Sequence, residues 1–108
     1  MIKPVKIAVD AMGGENSPSK VIKGIEIHFQ NSSNIFYNIF GNQSLIEPLI
    51  KKSKIPDSYY KIINTDKSIK DSDSPLSAAK KGKDTSMWLA VESLKEDNSD
   101  AIVSAGNT

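Results

Sequence analysis

Short β-branched runs alternate with helical patterns along this chain, and the alternation restricts it to few folds. Strands are predicted at Val5–Asp10, Ile35–Phe40, Tyr60–Asn64 and Ala101–Ser104. Because helical patterns separate these runs, successive strands are joined by crossover connections and run parallel. Such crossovers are almost always right-handed and pack their helices against the faces of the sheet. We therefore expect an α/β fold with an open, mostly parallel sheet and crossover helices, in a three-layer α/β/α arrangement.

Local signals predict where the helices begin. Ser17 and Pro18 indicate the start of the first helix, with Ser17 as N-cap and Pro18 at the first helical position. Ser44 and Glu47 have the spacing of a capping box for a second helix. A further helix is predicted from about Thr85 to Glu96, and its apolar side comprises Met87, Leu89, Ala90, Val91 and Leu94. Between the second and third helices, residues 65–74 are predicted as a polar loop and residues 76–81 as a short helical segment.

The composition excludes several kinds of site. The 108 residues include no Cys and a single His, His28. Disulfides, Cys-ligated zinc, thiolate catalysis and a metal site with several histidines are therefore not available to this chain. All 14 basic residues are Lys and the formal net charge is +1. This balance argues against a nucleic-acid partner, and the lack of Arg removes bidentate recognition of phosphate.

Neither a membrane span nor a secretory signal is predicted. No apolar run approaches the ~20 residues that a spanning helix needs, and the first residues lack the apolar core of a signal peptide. We therefore expect a cytoplasmic protein.

Two loops of small residues follow predicted strands, at residues 10–14 and 104–108. Ligands of open α/β sheets bind at the carboxyl ends of the strands, near the point where strand order reverses. Glycine lets the backbone approach an anion closely, and a helix N-terminus offers unpaired N–H groups. Ser104, Asn107 and Thr108 add hydroxyl and amide donors, so the residues are compatible with a phosphate site built without Arg. Each loop is also a common kind of turn, and neither matches a P-loop or a dinucleotide fingerprint.

Other polar and aromatic residues have simpler interpretations. His28 is predicted at the surface or at a helix end, without an acidic or hydroxyl partner. Trp88 adjoins the apolar side of its helix and is predicted to pack there. Lys80, Lys81 and Lys83 are predicted to form a solvated patch, with steering of an anion as the alternative.

Three segments in order carry a resemblance to a known family. The sequence IAVDAMGGE at residues 7–15, followed by Pro18, is similar to an N-terminal signature, and Pro75 with residues 85–87 is similar to a middle motif. The sequence VSAGNT at residues 103–108 is similar to the start of a third motif. Together they resemble the PlsX family, the phosphate acyltransferases of bacterial phospholipid synthesis. Members of that family are considerably longer, so residues 1–108 are expected to be the N-terminal part of a single α/β acyltransferase domain.

The resemblance implies a reaction and a set of partners. In that reaction an acyl group passes from acyl carrier protein to inorganic phosphate, which gives acyl phosphate and free carrier protein. No cofactor is implied. The full-length protein is expected to be a homodimer that contacts the membrane peripherally and passes its product to a membrane acyltransferase. This chain is expected to be inactive alone.

The resemblance also implies a binding site. Ser104, Gly106, Asn107 and Thr108 are expected to bind phosphate or acyl phosphate. Three residues of the first loop are expected to shape the facing wall: Asp10, Gly13 and Gly14. A carboxylate repels phosphate, so the alternative role for Asp10 is to orient the Gly-Gly turn by hydrogen bonding. The resemblance assigns no catalytic residue within this chain.

Two other functions remain open. One is a phosphate acetyltransferase-like enzyme on a related fold, whose donor is a small acyl-CoA. The other is a non-enzymatic α/β domain that binds an anion or a partner. A comparison of acyl donors separates the first alternative from the PlsX hypothesis, whereas cooperative folding of the isolated chain would support the second.

Overall fold

Four parallel strands form one sheet in the computed structural model, which describes residues 4–32, 34–65, 85–96 and 98–104. The elements are β1 (Val5–Asp10), α1 (Ser19–Gln30), β2 (Ile35–Gly41), α2 (Gln43–Lys52), a 3-10 helix (Asp57–Tyr59), β3 (Tyr60–Asn64), α3 (Ser86–Lys95) and β4 (Ala101–Ser104). The four predicted strands are confirmed, and β2 extends one residue further than expected. The predicted helical segment at 76–81 and residues 66–74 of the predicted loop lie outside the described residues. No helix in the described ranges combines the length and the apolar character needed to cross a membrane.

The strand order β3-β2-β1-β4 defines where the site lies. From β1 the chain adds β2 and β3 on one side, and then returns to place β4 on the other side of β1. Strand order therefore reverses between β1 and β4, where Asp10 pairs in register with Ser104. In open α/β sheets this point of reversal is the place where ligands bind.

Helices cover both faces of the sheet, which confirms the three-layer arrangement. On one face Val9, Tyr37 and Ile39 pack against α1 and α2, whose inward residues are Ile22, Ile25, Ile46 and Ile50. On the other face Ala8 and Phe40 pack against Ala90 of α3. Alternating side chains of β1 and β2 thus serve opposite cores, as the two-residue period of a strand requires.

The start of α1 differs from the prediction. The helix begins at Ser19, so Pro18 is the residue before the helix rather than its first residue, and no side chain caps it. Ser17 is not the N-cap, because its Oγ donates a hydrogen bond to the carbonyl oxygen of Gly13. This bond joins the turn after β1 to the segment that leads into α1.

The predicted capping box of α2 is also wrong, because Asn42 caps this helix. Asn42 Oδ1 accepts hydrogen bonds from the Ser44 backbone N at 3.0 Å and from Ser44 Oγ at 2.6 Å. Glu47 contacts Lys51 Nζ at 3.0 Å and Gln43 Nε2 at 3.1 Å instead of the start of the helix. The pKa of the Glu47 carboxyl lies below its ordinary value, mainly because Lys51 donates a hydrogen bond to it and secondly because Gln43 does.

Helix α3 presents small residues to the sheet. Ser86, Ala90 and Ser93 are buried, and the last two lie one helical turn apart. The prediction that Trp88 packs on the apolar side of its helix is wrong, because 44% of the residue is exposed. Val91 and Leu94, which were expected on the apolar side, are each 37% exposed. Small residues let the helix approach the sheet closely, and Leu89 packs at the edge of this contact, while Trp88, Val91 and Leu94 face outward.

Candidate functional site

Asp10 lies at the carboxyl end of β1 and is 2% exposed. Its Oδ1 accepts hydrogen bonds from Ser86 Oγ and from the backbone N of Met12, the latter at 3.1 Å. Its Oδ2 accepts a hydrogen bond from Ser104 Oγ at 2.8 Å. One carboxylate therefore joins the end of β1, the turn that follows it, the first turn of α3 and the end of β4.

This arrangement points to a positioning role for the Asp10 carboxylate. Both of its oxygens are engaged by donors of the chain itself, and a carboxylate would repel a phosphate placed directly against it. The bond from Met12 N–H orients the backbone that leads into Gly13 and Gly14. Asp10 thereby controls the placement of the turn and of two serine hydroxyls.

Ser86 is the site residue that sequence reasoning missed. It is 2% exposed and is the first residue of α3, directly after the N-cap residue Thr85. Thr85 Oγ1 accepts a hydrogen bond from the backbone N of Trp88 at 3.1 Å. The signal available in the sequence was the pair of hydroxyl residues at a predicted helix start, which also belongs to the middle motif of residues 85–87, although the motif assigned Ser86 no role. The positive end of the α3 dipole consequently lies beside Asp10.

Ser104 is the one predicted phosphate donor of the second loop that lies within the described residues. It is the last residue of β4, it is exposed, and it pairs with Asp10 of the neighbouring strand β1. Gly106, Asn107 and Thr108 lie outside the described residues, so their expected contacts with phosphate stay predictions. The structure does bring Ser104 next to Asp10 and the first loop, as the resemblance expected.

The turn after β1 uses its glycines in different ways. Gly14 has φ of 85°, in the left-handed region that glycine adopts without strain. Gly13 is buried, and its carbonyl oxygen accepts the bond from Ser17. The backbone N of Ala11 donates to Phe40 O at 2.9 Å and continues the sheet into the turn. The turn is thus held at both ends by hydrogen bonds.

A buried polar network holds the segment before β4. Asn38 Nδ2 donates to the backbone oxygen of Asn98 and to Ser99 Oγ, both at 3.0 Å. The hydroxyls of Ser99 and Ser93 lie 2.7 Å apart. These bonds attach the β4 approach to both β2 and α3, and so help to place Ser104 at the site.

His28 has a hydroxyl partner, which corrects the prediction that it has none. Its Nδ1 lies 2.8 Å from the Tyr37 hydroxyl, and the two rings meet edge to face with centroids 6.0 Å apart. Burial raises the pKa of Tyr37, so the phenol stays protonated at neutral pH. His28 itself is exposed near the end of α1, as predicted.

The described part of the chain holds no group of three or more His, Cys, Asp or Glu residues placed to bind a metal ion. Its buried side-chain nitrogen and oxygen atoms all have hydrogen-bond partners. The hydroxyl protons of Ser86 and Ser104 are donated to Asp10, so what this edge of the sheet presents to an anion is the backbone N–H groups of a glycine turn and of a helix N-terminus.

Comparisons with known proteins agree with this geometry. Residues 5–108 match the model of a family described as fatty acid synthesis protein. The chain is similar to the phosphate acyltransferase of Pelagibacter ubique (strain HTCC1062), with 53% identity over 108 residues that cover 100% of this chain and 32% of the relative. Phosphate acyltransferases of Bradyrhizobium diazoefficiens (strain JCM 10833 / BCRC 13528 / IAM 13628 / NBRC 14792 / USDA 110) and Oenococcus oeni (strain ATCC BAA-331 / PSU-1) are each 39% identical, again over 100% of this chain.

The chain spans about a third of the length of the curated relatives it matches. The match nevertheless runs through every described element, from the first residue of β1 to the loop after β4. With its parallel sheet and its Asp10-centred edge, the chain belongs to the fatty acid synthesis protein family, the PlsX family of phosphate acyltransferases.

Proposed function

We propose that this chain forms the N-terminal third of a phosphate acyltransferase that acts in lipid synthesis. The donor in this proposal is a long-chain acyl group on acyl carrier protein, and the acceptor is inorganic phosphate. The observation that carries the proposal is the convergence of Asp10, Ser86 and Ser104 at the point where strand order reverses. The names of the relatives support the phosphate and acyl chemistry.

The proposed reaction needs no nucleophile from the protein. A phosphate oxygen attacks the carbonyl carbon of the thioester, and a tetrahedral oxyanion forms. The carbon–sulfur bond then breaks, the carrier thiolate leaves and takes up a proton, and acyl phosphate is released. The protein must hold phosphate and thioester in line and must offer fixed donors to the oxyanion. A chain without Cys is compatible with these demands.

The residues of the edge take distinct parts in this proposal. Gly106, Asn107 and Thr108 bind phosphate through backbone, amide and hydroxyl donors, and Ser104 joins them when its hydroxyl, which donates to Asp10 in this structure, turns to the phosphate. Gly13 and Gly14 form the wall opposite them. Asp10 positions Ser86, Ser104 and the glycine turn, and the N-terminus of α3 adds a favourable dipole.

The test is a phosphate titration of the full-length protein that contains this chain. Asn107→Ala is expected to raise the KM for phosphate or to lower kcat at least roughly tenfold, the size of a lost polar contact to an anion. The melting temperature is expected to stay unchanged. Asn98→Ala is the matched control, because Asn98 is exposed and joins the network before β4 through its backbone, while its side chain makes only an exposed 3.4 Å bond to Glu96. Wild-type kinetics in Asn107→Ala would remove this residue from the site.

A donor comparison separates the proposed enzyme from a phosphate acetyltransferase. The full-length protein is expected to form acyl phosphate from palmitoyl-acyl carrier protein and to show little turnover with acetyl-CoA. The reverse preference would contradict the proposed donor. Absence of phosphate-dependent turnover with both donors would favour a non-enzymatic domain.

The remaining parts of the proposal concern the whole protein. We place it in the cytoplasm as a homodimer with peripheral contact to the membrane, and its acyl phosphate product passes to a membrane acyltransferase. These proposals rest on the family resemblance.

A further inference from the structure

A groove of about 340 Å³ runs between α1 and the strands β1 and β4. Its floor is formed by Ile7, Val9 and Val103, and Val9 pairs with Val103 in the sheet. Its wall is formed by the inward side of α1, including Val21 and Ile25. Aliphatic side chains thus make up most of the surface, which suits an apolar ligand.

The two ends of the groove differ in chemistry. Asp10 and Ser17 line one end, at the carboxyl edge of the sheet where the proposed phosphate site lies. His28 and Tyr37 line the other end, where His28 Nδ1 and the Tyr37 hydroxyl share a hydrogen bond. A ligand that fits this gradient has a polar head at the Asp10 edge and an apolar tail that extends toward Tyr37.

Gly24 sets the width of the groove at its middle. It lies in α1 between Lys20 and His28, which also line the groove and are separated by about 12 Å at the rise of an α-helix. Gly24 is exposed, and a Cβ at this position would meet no atom of the described residues within 4 Å. Glycine costs an α-helix stability relative to alanine, so packing against neighbouring residues does not explain its presence here.

We propose that this groove holds the acyl chain of the substrate, with the carbonyl end at the Asp10 edge and the methyl end toward Tyr37. The identity of the occupant rests on the proposed function, because an acyl group next to a phosphate site is what that reaction requires. Each methylene removed from water strengthens binding roughly fourfold. The groove therefore selects acyl groups by length.

The test varies the length of the acyl chain and the side chain at position 24 in the full-length protein. Non-hydrolysable butanoyl, octanoyl and palmitoyl phosphonates are titrated calorimetrically, and turnover is measured with the matching acyl-carrier protein donors. The wild-type protein is expected to bind octanoyl phosphonate more tightly than butanoyl phosphonate and to gain less per methylene from octanoyl to palmitoyl, because an extended palmitoyl chain is longer than the roughly 12 Å from Lys20 to His28. Gly24→Leu is expected to weaken palmitoyl binding and kcat/KM roughly ten- to hundredfold, because Leu replaces several methylenes of the ligand. Butanoyl values are expected to stay unchanged.

Two control variants make the result specific. Gly24→Ala adds a single methyl group and is expected to keep the fold and to give a small, length-dependent loss. Lys23→Leu introduces the same side chain one residue away on the exposed side of α1 and is expected to change nothing. Melting temperatures of all variants report on folding independently of activity.

The outcomes separate the groove from the enzyme. Binding that does not increase with chain length, or a Gly24→Leu loss that is equal for all lengths, overturns the inference even when acyl transfer is observed. Such an equal loss with a lowered melting temperature would mean that another segment of the full-length protein occupies the groove. Length-dependent binding that Gly24→Leu removes, without phosphate-dependent turnover in the wild type, supports the groove and contradicts the proposed function.

Discussion

Asp10 holds donors that come from distant parts of the chain. Its partners Ser86 and Ser104 are 76 and 94 residues away in sequence, and Met12 is its near neighbour. The carboxylate is buried, so each of these bonds replaces hydration that it loses on folding. The role of Asp10 is therefore to hold the edge of the sheet together where the proposed chemistry takes place.

Substitution of Asp10 is expected to cost stability as well as activity. In the full-length protein, Asp10→Ala is expected to lower the free energy of unfolding by about 3 kcal/mol, because three donors lose their acceptor. Asp10→Asn keeps one oxygen and is expected to cost about half as much. Urea unfolding followed by circular dichroism measures both. Asp57→Ala, at an exposed position, is expected to change stability by less than about 0.5 kcal/mol; an equal effect at both positions would contradict the role of Asp10.

Residues of the site differ in how well sequence could predict them. Asp10 and Ser104 each end a strand, and parallel strands bring their carboxyl ends to one edge, so their proximity was predictable. Ser86 was not, because its burial depends on the rotation of α3 about its own axis. The partner of His28 was also missed, since it belongs to β2 and nothing in the local pattern of α1 points to Tyr37.

Helix α2 shows which local sequence signal determines where a helix begins. Asn42 caps α2 because it directly precedes the helix with an extended backbone, so its side chain reaches the N–H of Ser44. Ser44 lies inside the helix, which begins at Gln43. The Ser-x-x-Glu spacing is present in the sequence, but the register differs by two residues.

The stabilities of two variants distinguish the Asn42 cap from the predicted capping box. Asn42→Ala is expected to lower the free energy of unfolding of the full-length protein by about 1 kcal/mol, the usual cost of losing an N-cap. Ser44→Ala removes only the exposed bond of its hydroxyl and is expected to cost much less. Thermal melts of the two variants compare them directly. A larger loss for Ser44→Ala than for Asn42→Ala would restore the capping box predicted from sequence.

The orientation of α3 follows from side-chain size rather than from apolar character. Its sequence places apolar residues on nearly every side, so periodicity alone could not define the buried face. The sheet surface below it is formed by Ala8, Phe40 and the polar network of Asn38. Ser86, Ala90 and Ser93 match this surface in size and polarity, which leaves Trp88 facing outward.

At the scale of the molecule, large apolar side chains are exposed on both faces of the sheet. Trp88, Val91 and Leu94 form an exposed row on α3, and Val103 of β4 is 56% exposed. Among the described strands, β4 pairs with β1 alone and so lies at an edge of the described sheet. Exposed strand edges and apolar patches promote association between copies of a chain.

The isolated chain of 108 residues is therefore expected to self-associate and to unfold over a broad range of urea, whereas the full-length protein unfolds cooperatively. Size-exclusion chromatography with light scattering, together with urea titration, measures both properties. Replacement of Trp88, Val91 and Leu94 by Gln is expected to reduce self-association. The control replaces three exposed lysines at the end of α2 by Gln: Lys51, Lys52 and Lys54. A sharp, monomeric transition of the unaltered chain would instead favour an independent domain.

Because the Asp10 carboxylate joins the strands at this edge of the sheet, the order in which the strands fold determines when the site forms. Contacts between residues far apart in sequence form late, because a long loop must close first. β1, β2 and β3 can assemble from neighbouring segments, but the bonds of Asp10 to Ser86 and Ser104 require the return of the chain to the other side of β1. The site is thus a product of the finished topology: it forms only when β4 docks beside β1, and it is lost when β4 detaches.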